Sequence, residues 1–94
     1  MSVKFPIKQI VMTQAASQLL VKHKKLAPDY VLKHRNLEQG SLCEQDHALN
    51  LEAVDLGNRI FSQYHLVPED DTTRIWIITE ADRSVTTILL PEEY

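Results

Sequence analysis

The side chains able to do chemistry fall into a few small groups. Cys43 and His47 stand four positions apart, a spacing that puts two side chains on one face of a helix. A zinc site needs three or four such ligands, and neither a second cysteine nor an HxxH pair accompanies them. A nucleophile needs a base and a group that orients the base. Cys43 with His47 lacks that third member, and Ser84 with Asp82 lacks a strand–turn–helix elbow. Cys43 then reads as a half-buried small residue and His47 as a surface one. A phosphate cradle needs a glycine-rich loop, but Gly40 and Gly57 are the only glycines, and neither sits in a GxGxxG or GxxxxGK[ST] run. Dinucleotide, P-loop and nucleotide-derived methyl-donor chemistry are disfavoured. No cofactor or metal is expected, and an enzyme is the least favoured class.

Binding chemistry is better supplied. Residues 1–36 carry seven basic residues against one acid, whereas residues 37–94 carry three against twelve. Lys22, Lys24, Lys25, Lys33 and Arg35, beside His23 and His34, form the basic cluster. Such a cluster suits nucleic-acid phosphates. It equally suits a solvated face or self-association of oppositely charged halves. Tyr30 is the only aromatic within it, so no base-stacking platform is evident. A helix-turn-helix over 13–36 would lack a glycine turn. A small ribonuclease toxin would need a basic sheet, whereas Arg59, Tyr64, His65 and Arg74 lie among many acids in a chain of pI about 5.7. Nucleic-acid contact is possible but not favoured. Asp82-Arg83 is the sharpest polar feature. It is either an exposed ion pair worth under about 1 kcal/mol or a recognition tip, with Trp76 as its anchor, because Trp and Arg are frequent interface hot spots.

The elements that must position these residues are legible from periodicity. Residues 74–94, RIWIITEADRSVTTILLPEEY, predict two strands around a turn at Ala81–Ser84. Their β-branched and aromatic residues suit a pleated surface, and Pro91 ends the second strand. Ile75, Ile77 and Thr79 would share one face, and Trp76, Ile78 and Glu80 the other. Val3–Met12 predicts a first strand. Thr13 predicts the cap of a helix through Lys24, and Pro28 opens a second that fades near Asn36. Ser41, with Glu44 three residues on, predicts a third helix that stops at Gly57. Arg59–Leu66 alternates as a strand. The order β-α-α-α-β-β-β predicts an α+β fold: three helices on one face of a three- to four-stranded antiparallel sheet, with a C-terminal meander.

At 94 residues the chain makes a single domain, 1–94, with a small core. One cysteine allows no internal disulfide, and the longest apolar runs are about four residues, far below the ~20 that span a bilayer. A cytoplasmic setting with no membrane contact is expected.

IWIITEADRSVTTILLPEEY, preceded by SLCEQDHALNLEAVDLGNRIFSQYHL and by an N-terminal KQIVMT, closely resembles a family of small plasmid-related proteins of bacterial mobile elements. Some members are labelled type I restriction enzyme subunit M, but this chain has neither the length nor the glycine-rich loop for methyl transfer. The resemblance implies a mobile-element setting and no catalytic residues. A non-catalytic module acting on an unknown protein partner, or on a second copy, is the first expectation. Nucleic-acid binding through residues 22–35 is the second.

Overall fold

The computed structural model describes residues 7–36, 56–68 and 70–94. Among these, Gln9–Met12 is strand β1, Gln14–Lys22 helix α1, Ala27–Arg35 helix α2, Ile60–His65 strand β2, Arg74–Thr79 strand β3 and Val85–Leu89 strand β4. Short 3-10 turns lie at Asp71–Thr73 and Pro91–Glu93. The helix expected after Ser41, with Cys43 and His47, falls outside the described residues.

The architecture is α+β, but the sheet is mixed rather than antiparallel. Its order is β1-β4-β3-β2, with β1 parallel to β4 and the other pairs antiparallel. Direction follows from parity. β2, β3 and β4 form the expected meander, so β2 and β4 point the same way. The connection bearing the helices returns the chain to β2 at the far edge in the direction of β1. When the meander brings β4 back beside β1, the two are parallel.

Local chemistry sets the element ends. Thr13 caps α1, its hydroxyl accepting from the Ala16 N–H at 3.1 Å. Its own N–H extends the ladder to the Ile88 carbonyl at 3.0 Å, and its hydroxyl donates to Glu93 at 2.7 Å. α1 ends two residues earlier than expected. Lys24 takes the left-handed conformation at φ 56. Its N–H reaches the Val21 carbonyl, and that of Lys25 reaches Leu20, which is the Schellman closure usually served by glycine. The β3–β4 turn uses a second left-handed residue, Arg83 at φ 64. Asp82 accepts there from the Ser84 N–H and hydroxyl at 3.0 and 2.6 Å.

Alternation sends Ile60, Ser62 and Tyr64 of β2, Ile75, Ile77 and Thr79 of β3, and Thr86 and Ile88 of β4 to the inner face. All are buried. Ala16, Leu20, Tyr30 and Val31 of the helices cover them, with Tyr30 tilted against Tyr64 at 5.5 Å between ring centres.

Among these apolar groups lies one polar chain. The His34 ring contacts Ser62 Oγ through Nδ1 at 2.5 Å and Thr79 Oγ1 through Nε2 at 2.8 Å. Thr79 Oγ1 lies 2.8 Å from Thr86 Oγ1. All four side chains are enclosed. Burial pushes the imidazole from its ordinary 6.5 down to about 3. A neutral ring with one donating and one accepting nitrogen fits two hydroxyl partners.

Two outcomes are expected. Lys24→Gly relieves the left-handed strain and should raise the unfolding free energy by roughly 0.5–1 kcal/mol in urea titration. The His34 contribution has a definite sign. Between about pH 6.5 and pH 3 the unfolded chain binds a proton that the folded core refuses. Its stabilisation is therefore complete above that window and is lost as pH falls through it. From pH 7 to pH 5 the unfolding free energy should drop by about 2 kcal/mol, and His34→Gln should flatten that slope.

Candidate functional site

The inner face over β2, β3 and β4 is occupied by packing. His34 and Ser62 have the residue types of a base and a nucleophile, but both are fully enclosed. They hold the fold and offer nothing a substrate can reach.

The outer face of the sheet differs. β2 sends Phe61, Gln63 and His65 to it, and β3 sends Arg74, Trp76 and Ile78. Phe61 and Trp76 meet edge to face at 4.8 Å between ring centres, and Tyr94 also packs on Trp76 at 5.5 Å. Trp76 donates its indole N–H to Gln63 Oε1 at 2.9 Å, the pair that register places directly opposite one another. Arg59 lies 5.6 Å from the Tyr94 ring centre and donates to its hydroxyl at 2.8 Å. It also approaches Glu80 at 3.5 Å. Arg59, Phe61, Trp76, Ile78 and Tyr94 surround a shallow hollow of about 260 Å³. Ile78 is its buried floor, Phe61 and Trp76 are half-buried walls, and Tyr94 is 67% exposed.

Trp76, singled out from sequence, therefore stands at the centre of an open aromatic cluster. Sequence alone names Arg59 only among the sheet residues of a ribonuclease reading and does not single out Phe61 or Tyr94. The signal for two of them was present, since the β2 alternation puts Arg59 and Phe61 on one face. Nothing local points to Tyr94, which reaches Trp76 only through the Pro91–Glu93 turn.

Asp82 and Arg83 lie at the far tip. Asp82 is exposed, and its hydrogen bonds from Ser84 hold its carboxyl below the usual range. Arg83 donates to the Asn58 carbonyl at 2.6 Å and to the Glu80 carbonyl at 3.2 Å. Its guanidinium thus ties the turn to the segment entering β2.

The basic cluster divides into separate parts. Lys22, Lys24 and Lys25 gather at the end of α1, all exposed. Lys33 sits 5.7 Å from the centre of the Tyr30 ring. Arg35 lines a groove between α2 and β1. At the opposite end of the outer face, His65 Nε2 and Asp71 Oδ1 are 2.8 Å apart. Asp71 and Glu92 flank Arg74 there, carboxylates that repel a phosphodiester. Among the described residues no cluster of three metal-ligating side chains occurs, and no helix is long and apolar enough to cross a membrane.

Trp76→Ala should cost about 2–3 kcal/mol in urea titration, less than a fully enclosed Trp, because one side of the ring is already wet. Tyr94→Ala should cost under about 1 kcal/mol. Comparison with protein-family models, with curated proteins and with solved structures finds no match for this chain.

Proposed function

We propose that this chain is a non-catalytic interaction module, an accessory protein of a bacterial mobile element, that binds a protein partner through the outer face of its sheet. The observation that carries the reading is the Phe61–Trp76–Tyr94 cluster with Arg59 stacked at its edge. Trp, Tyr and Arg dominate interface energetics because they combine large apolar area with a polar handle. Phe61 and Trp76 stand on the paired strands β2 and β3, and Arg59 holds Tyr94 by a hydrogen bond, so little conformational freedom is lost when a partner docks. The hollow above Ile78 accepts one apolar side chain of the partner, and a neighbouring carboxylate would meet Arg59.

The test compares two variants in the native host. Tyr94→Ala removes an exposed ring and should leave the fold intact while losing the protein that co-purifies with the parent chain. Replacing Lys22, Lys24 and Lys25 together with Gln should leave that protein bound. The reverse pattern, combined with salt-dependent binding of duplex or single-stranded nucleic acid to the parent chain, would overturn the proposal in favour of nucleic-acid contact through the end of α1.

A further inference from the structure

A second site is carried by different residues and does not rest on the outer sheet face. Ile7, Lys8 and Ile10 from the β1 side, with Ala27, Pro28, Val31, Leu32 and Arg35 from α2, line a groove of about 550 Å³. That lies within the range of small-molecule sites. Its origin is geometric. The register opposes Ile10 to Thr86, whose side chain is on the inner face, so Ile10 points toward the helical layer. Yet it remains 49% exposed, because α1 and α2 leave this margin of the sheet uncovered.

The walls are mostly apolar, and the charged side chains lining them among the described residues are two cations, Lys8 and Arg35. Lys8 lies close enough to Asp82 to stabilise its carboxylate, so its charge is partly answered. Arg35 is half-buried and lines the same groove. A guanidinium is matched in geometry and charge by a carboxylate, which accepts two parallel N–H bonds from it.

We propose that this groove binds a monocarboxylate with an apolar body, such as a medium-chain acyl acid. The carboxylate accepts from Arg35, and the chain lies along Ile7, Ile10, Val31 and Leu32. Lys8 adds attraction at the rim.

Calorimetric titration with decanoate, decanol and inorganic phosphate separates the contributions. Decanoate should saturate at one per chain. Decanol should bind at least about tenfold more weakly, and phosphate should give no saturable heat. Arg35→Met keeps the apolar stem and should weaken decanoate by about tenfold or more without lowering the melting temperature. Leu32 is 42% exposed, so Leu32→Asp should fold normally and repel the acid, and it decides the matter if Arg35→Met does not fold. Equal affinity for decanoate and decanol would overturn the proposal. So would phosphate binding as tightly as decanoate, undiminished decanoate binding in a folded Arg35→Met or in Leu32→Asp, or no saturable decanoate binding to the parent chain.

Discussion

The imidazole of His34 must be neutral and hydrogen-bonded on both nitrogens, and that requirement fixes where α2 lies. Apolar burial alone is non-directional and would let a helix with so short an apolar stripe slide across the sheet. The polar chain does not allow this. Ser62 stands on β2, Thr79 on β3 and Thr86 on β4, and the ring must satisfy the first two at once. A displacement of even one residue would strand two hydroxyls and a ring nitrogen in an environment without water, at about 1–3 kcal/mol each. Tyr30 and Val31 then pack where His34 has placed them. The network specifies one arrangement from among several that hydrophobicity would accept.

With the inner face closed in this way, the two sides of the sheet have different tasks. Over β2, β3 and β4 the inner side is a sealed apolar layer crossed by one polar seam. The outer side is only partly dressed: Ile78 and Leu89 are buried, but Phe61, Trp76 and Tyr94 keep surface in water. The rings are nevertheless held in place, by edge-to-face contacts and by the bonds of Trp76 to Gln63 and of Tyr94 to Arg59. An exposed patch that is rigid and has polar handles is a better recognition surface than a looser one of equal area.

Much of this was legible in the sequence where the determinants are local. The β2–β3–β4 meander follows from alternation and from turn residues at Asp82–Ser84, and the α1 cap follows from Thr13. The sides of β3 follow from the sequence because period two leaves no other choice. What could not be read is non-local or contrary to propensity. Placing β1 beside β4 requires knowing where the helical connection sets β2 down. His34 reads as one more member of a basic cluster until Ser62 and Thr79, 28 and 45 residues away, are brought to it. Lys24 and Arg83 occupy conformations that residue type argues against, so the Schellman end of α1 leaves no trace in composition. Arg35 was grouped with the lysines by charge, and only burial separates it from them.

The parallel pairing of β1 with β4 has a kinetic side as well. Gln9 meets Val85 across the sheet, joining residues far apart in sequence. The meander and the helices form from nearer neighbours and need not wait for that contact, whereas closing the long loop comes at an entropic cost that local contacts avoid. Until β1 arrives, β4 presents an unpaired ladder of amides and carbonyls with Val85, Ile88 and Leu89 beside it. During synthesis β1 emerges before β4, so it waits for the intervening helices and strands. In that interval the bare edge of β4 is a template for strands of other molecules, and β1 is the intramolecular competitor that caps it.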